Sequence, residues 1–101
     1  MIIYNITTKV STGIDAAWVK WQREQHIPEM MRTGLFIDYT FSQLLEQDDS
    51  EGKTYVVQCR ISNKENYQSY INTFSVKMRE SAFKNWGNQF ISFRSILEVI
   101  H

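Results

Sequence analysis

A chain of 101 residues is long enough for one compact domain with a single core, and a single unit over residues 1–101 is expected. Eleven Lys and Arg balance eleven Asp and Glu, so no net field gathers phosphate backbones, which argues against a nucleic-acid partner. One cysteine excludes an internal disulfide, and two histidines far apart give no zinc spacing with it, so neither a metal nor another cofactor is expected.

Met1 to Val10 alternates, with Ile2, Tyr4 and Ile6 on one side and Ile3, Asn5, Thr7 and Lys9 on the other, as a strand does. This start has no basic region or apolar run of a secretory signal, and nothing later approaches a membrane span. A soluble cytoplasmic protein without a membrane partner is the expectation. Ser11-Thr12-Gly13 supplies a turn, and Thr12 followed by Asp15 resembles a capping box that starts a helix. Ile14, Ala17, Trp18 and Trp21 then fall on one helical face. Pro28 disfavours the helical conformation at Ile27 but suits the first turn of a new helix, ending at Thr33-Gly34. The stretch QHIPEMMRTG (25–34) therefore reads as a corner between two helices, with His26 at the bend.

From Leu35 the period returns to two, with Leu35, Ile37, Tyr39 and Phe41 on one side and Phe36, Asp38, Thr40 and Ser42 on the other. The polar stretch 47–52 is a hairpin loop into a third strand, Lys53 to Ile61. There Tyr55, Val57, Cys59 and Ile61 oppose Val56, Gln58 and Arg60. Ser62-Asn63-Lys64-Glu65 is a capping box, and Tyr67, Tyr70, Ile71, Phe74 and Met78 form the apolar stripe of a second long helix. Low propensity between Thr73 and Val76 predicts a break, and Trp86-Gly87 an end. Gln89 to Ile100 closes as a strand, with Ile91, Phe93, Leu97 and Val99 opposite Phe90, Ser92, Arg94, Ile96 and Glu98.

The order strand, helix, strand, strand, helix, strand is the ferredoxin-like βαββαβ arrangement, an α+β fold with a four-stranded antiparallel sheet. Right-handed crossovers put the helices on one face. The sets Ile2/Tyr4/Ile6, Leu35/Ile37/Tyr39/Phe41, Tyr55/Val57/Cys59/Ile61 and Ile91/Phe93/Leu97 are assigned to that face. The other would carry Ile3, Phe36, Val56, Phe90 and Ile96 beside Asn5, Asp38, Thr40, Gln58, Arg60, Ser92 and Arg94. So apolar a face is not left to water, and a second sheet is its natural cover, which predicts a homodimer joined sheet to sheet.

Three stretches also resemble a known family: Met1-Ile2-Ile3-Tyr4-Asn5-Ile6-Thr7; Trp18-x-x-Trp21-x4-His26-Ile27-Pro28-Glu29-x3-Thr33-Gly34-x-Phe36; and Phe90-x-x-Phe93-Arg94-x3-Leu97-Glu98-Val99-Ile100. Together they are similar to the bacterial domain-of-unknown-function family 4286, over essentially the whole chain. The resemblance implies membership of the dimeric α+β barrel group, whose relatives include cofactor-independent monooxygenases and muconolactone isomerases. It implies a dimer and no particular reaction, and it transfers no catalytic residue.

The candidate site residues are Trp21, His26, Asp38, Gln58, Arg60 and Arg94. His26 is either a general base or a helix-terminal residue whose positive form suits the dipole. Trp21 either lines a pocket or is core. Asp38, Arg60 and Arg94 are placed on the face that a dimer buries, where each must be paired or meet a ligand. Arg60 and Arg94, read as lying on one side, repel unless an anion joins them, which points to a small aromatic or apolar acid bound between the sheet and the helix-corner-helix. Two functions remain open: a small-molecule binding protein or cofactor-independent enzyme using this cavity, and a non-catalytic homodimeric module in which the same charges pair within an interface.

Overall fold

The computed structural model describes residues 1–101. Strand β1 (Ile2–Ser11) leads into helix α1 (Asp15–Trp21), a π-helical turn (Gln22–His26) and helix α2 (Ile27–Arg32). Strands β2 (Asp38–Gln43) and β3 (Gly52–Ile61) follow, then helices α3 (Lys64–Thr73) and α4 (Ser75–Trp86), and strand β4 (Phe90–Glu98). The strands form one sheet in the order β2-β3-β1-β4, every neighbouring pair antiparallel. This is the ferredoxin-like α+β arrangement expected from the sequence. The molecule measures 38 × 31 × 19 Å. Its shortest dimension is that of one sheet and one layer of helices, since such layers pack about 10 Å apart.

Tyr4 and Val10 of β1 and Tyr55, Val57, Cys59 and Ile61 of β3 are buried on the helix side, as their alternation predicts. Tyr4, Val57, Cys59 and Ile61 form the main core with Ile27, Met30, Phe36 and Tyr70, while Val10 and Tyr55 pack with Trp18 and Trp21. Cys59 has no exposure, and burial raises its thiol pKa to about 12, so it stays an unreactive part of the core. The hairpin entry at Gly52 leaves no choice of residue. A Cβ there would lie 1.9 Å from the carbonyl oxygen of Val10, and φ is +138°.

Several local expectations are corrected. Helix α1 starts without a side-chain cap, and the Thr12 hydroxyl instead donates to the carbonyl of Ser50. The predicted corner at Pro28 is a continuous helix. Ile27 N–H donates to the carbonyl of Gln22, five residues back, and the backbone at His26 and Ile27 stays helical. Pro28 lacks an N–H and its ring clashes with a carbonyl one α-helical turn back, so a wider π turn immediately before it lets the helix run on. Strand β2 begins at Asp38, and the preceding chain turns Phe36 into the core while Ile37 is half exposed, the reverse of the predicted phase. The ends at Gly34 and Gly87, both with positive φ, and the break between α3 and α4 fall where expected.

The cap of α3 lies one residue later than the predicted capping box. Asn63, in extended conformation, accepts the backbone N–H of Asn66 at 2.8 Å, so Asn63 rather than Ser62 satisfies an otherwise orphaned donor. Asn63→Ala is expected to lower stability by about 1 kcal/mol, and Ser62→Ala by much less, in urea unfolding.

The largest correction concerns β4. Phe90 pairs with Val10, Ser92 with Thr8, Arg94 with Ile6 and Ile96 with Tyr4, so these residues share the helix side of the sheet. Ile91, Phe93 and Leu97 pair with Lys9, Thr7 and Ile3 and stand on the open side, the opposite of the expected assignment. Ile91 and Phe93 are 61% and 69% exposed there.

Candidate functional site

The six candidate residues separate onto two faces. Asp38, Gln58 and Arg60 stand on the open side, where Asp38 pairs with Arg60 and Thr40 with Gln58 in the strand register. Arg60 Nε donates to Asp38 Oδ1 at 2.7 Å and its Nη2 donates to Oδ2, a bidentate ion pair. The guanidinium holds the Asp38 carboxyl below its usual range, chiefly by these hydrogen bonds. Arg60 therefore has its counterion within the chain.

Arg94 lies on the other side of the sheet and cannot share a ligand with Arg60 in one protomer. Its Nε donates to the hydroxyl of Tyr4 at 3.1 Å, and the chain's three ion pairs, Lys9–Glu51, Lys53–Asp15 and Arg60–Asp38, leave it without a carboxylate. This exposed guanidinium rims a cavity of about 30 Å³ between sheet and helices, room for one or two water-sized groups. The floor is Ile6, Thr8, Val57, Phe90 and Ser92; the roof is Trp18, Gln22, His26 and Met30, with Ala82 of α4 at one side. Thr8 and Ser92 hydroxyls bond to each other at 2.8 Å across the floor.

The roof is the work of the π turn. Gln22 and His26 stand at its two ends, and both are turned inward, 7% and 9% exposed. His26 is thus a buried residue and not one at an open corner. Its ring stacks on Trp21 with centroids 4.6 Å apart, and Trp21 in turn meets the edge of Trp86 at 5.9 Å. Burial, and secondarily the charge of Arg94, push the His26 pKa down to about 4. The imidazole is neutral at pH 7, which removes the reading of a positive group serving the helix dipole. Two of the buried polar atoms here, Gln22 Oε1 and His26 Nδ1, have no hydrogen-bond partner. Buried polar atoms are nearly always paired, so this concentration marks a place built for something polar.

The structure thus brings together Trp21, His26 and Arg94 and separates them from Asp38, Gln58 and Arg60. Gln22, Thr8 and Ser92 were missed. Gln22 lies four residues before His26, a spacing that puts both on one face of a helix without a corner. Thr8 and Ser92 are small hydroxyls in β-strands and carry no signal in the sequence.

An antiparallel four-stranded sheet covered on one side by helices, with a partly polar cavity beneath them, defines an α+β ferredoxin-like protein. The chain matches the family described as a domain of unknown function, DUF4286, over residues 1–100, and it belongs to that family. No curated protein matches the sequence. Among solved structures it is similar to an ethyl tert-butyl ether d (ethd) family protein from Bacillus halodurans, with TM-score 0.73, 15% identity and coverage of 99% of this chain and 100% of that one. It is similar to a dimeric ferredoxin-like protein from an uncultured marine organism, with TM-score 0.74, 10% identity and coverage of 99% and 95%. A mutant of MhuD with two manganese protoporphyrin IX bound per active site aligns with TM-score 0.69 and 12% identity over 100% of this chain and 96% of that chain. At these identities the likeness is one of fold.

Proposed function

We propose that the protein is a homodimer joined through its open sheet faces, and that each protomer binds a small organic acid between the sheet and the Asp15–Arg32 helix. The observation that carries the binding reading is Arg94: a guanidinium without a carboxylate at the rim of a cavity whose inner wall holds the unpartnered Gln22 Oε1 and His26 Nδ1. Gln22 Oε1 can only accept, so the group entering the cavity is a hydrogen-bond donor such as a hydroxyl, and the acid function stays at Arg94. A cavity of this size takes the donor group alone, so the apolar body of the ligand lies at its mouth, between the donor and the acid function. The protoporphyrin-carrying neighbour supports the reading that this scaffold accommodates ligands, and the dimeric one supports self-association.

The small enclosed volume favours one rival, a dimeric module in which the cavity holds only solvent. Calorimetric titration with 4-hydroxybenzoate and its uncharged amide separates the two. The acid is expected to bind and the amide to bind at least about 10-fold more weakly, the scale of one charge-assisted hydrogen bond. Arg94→Gln should remove that difference with the fold unchanged by circular dichroism. No binding of 4-hydroxybenzoate, or binding indifferent to Arg94→Gln, overturns the ligand reading and leaves the module.

A further inference from the structure

Arg94 is the one guanidinium among the residues that line the cavity, and a second, Arg79, is carried by α4. On α4 the inward stripe runs through Ser75, Met78, Ala82 and Trp86, of which Ser75 is buried and the other three partly so. Arg79 stands beside this stripe, one turn before Ala82, the α4 residue that lines the cavity. Arg79, like Arg94, is exposed and belongs to none of the three ion pairs. The positive charges of both also lower the pKa of the Tyr4 and Tyr70 phenols against the upward push of burial, in keeping with that position of Arg79 on α4. Arg94 is held there by its bond to the Tyr4 hydroxyl, which engages Nε and leaves both Nη groups without a partner in the chain.

Neither guanidinium forms an ion pair with a carboxylate of the chain. Glu98 shares the helix side of β4 with Arg94, but four residues along an extended strand separate them by about 13 Å. Two like charges brought to one place repel, and a single negative charge leaves one of them uncompensated.

We infer that Arg79 from α4 and Arg94 from β4 together receive a doubly negative head group, a dicarboxylate or a phosphate monoester, at the mouth of the cavity. The inference rests on the ligand reading above and narrows it to dianions. Each guanidinium is a planar fork suited to carboxylate or phosphate oxygens, and the two come from different elements, so they approach the head group from the sheet and from the helix layer.

The test is calorimetric titration of the full chain at pH 7.5 with 4-hydroxybenzoate, 4-hydroxyphthalate and 4-hydroxyphenyl phosphate, in the wild type, Arg79→Gln and Arg79→Lys. At least one dianion is expected to bind about 10-fold or more tighter than the monoanion, a difference of about 1.4 kcal/mol. Arg79→Gln should reduce that advantage to below about 3-fold, weakening the dianion more than 4-hydroxybenzoate, and Arg79→Lys should keep part of it. An advantage confined to 4-hydroxyphthalate assigns the site to dicarboxylates, and one confined to 4-hydroxyphenyl phosphate assigns it to phosphate monoesters. If 4-hydroxybenzoate binds and neither dianion binds better, or if the advantage survives Arg79→Gln, the inference fails and the ligand reading stands. If none of the three probes binds, both fail.

Discussion

Phe93→Glu is expected to convert the proposed dimer into a monomer of 12.0 kDa, the mass of one chain. Phe93 is 69% exposed in the protomer and is aligned across the strands with Thr7 of β1 and, beyond it, Val56 of β3. On the same side lie Leu97, aligned with Ile3, and Ile91, aligned with Lys9. An apolar surface of this kind along a strand of an open sheet is what an isologous pairing buries, each face supplying the same patch to the other. A stable pairing of this type buries on the order of 1,200–2,000 Å². A glutamate at position 93 would be desolvated in each protomer without a partner, and truncating or charging such a position costs several kcal/mol of association. Light scattering at micromolar concentration reads the result directly. A wild-type mass of one chain overturns the dimer, and a dimeric Phe93→Glu overturns its placement on this face. The Asp38–Arg60 pair on the same side, aligned with Ile3 and Leu97, is satisfied within its own chain and can enter an interface without a bare charge.

The second large effect is on stability as a function of pH. His26 titrates at about 4 in the folded protein, against 6.5 in an unfolded chain, because protonation would place a charge in a buried site near Arg94. Above pH 6.5 both states are neutral and the contribution is fully present. As the pH falls below 6.5 the unfolded chain gains a proton that the folded one refuses, and stability is lost until the pH reaches about 4. The whole loss is about 3 kcal/mol, of which about 2 kcal/mol falls between pH 7 and pH 5. Urea unfolding at both pH values and one protein concentration, for wild type and His26→Gln, isolates it from the carboxylates. The wild type is expected to lose about 2 kcal/mol more than the variant. Parallel losses in the two proteins would mean that His26 is accessible to protons in the folded state. The neutral ring at pH 7 is also what allows Nδ1 to meet an uncharged polar group in the cavity.

The order of elements, the helix side of β1 and β3, the helix ends at Gly34 and Gly87 and the break before Ser75 were all legible in the sequence. Each depends on local chemistry or on a strand with one strongly apolar side: Tyr55, Val57, Cys59 and Ile61 against Val56, Gln58 and Arg60 leaves little choice of face. Strand β4 offers no such contrast. Phe90 and Ile96 on one side and Ile91, Phe93 and Leu97 on the other are both apolar, because a sheet with helices on one side and a candidate interface on the other needs both faces apolar. Alternation then states the period and not the phase. The phase is settled by the pairing of Phe90 with Val10, a contact between residues 80 positions apart, and a one-residue slip carries Arg94 to the other side of the sheet. Pro28 was readable as a disturbance of the helix but not as which disturbance. Its missing N–H forbids a regular α-helical bond, while the choice between a corner and a π turn falls to packing, here the stacking of His26 on Trp21. The candidate site was therefore named in part by the sequence, through Trp21, His26 and Arg94, and assembled by two tertiary decisions: the register of β4 against β1 and the π turn that carries Gln22 and His26 beneath the helix.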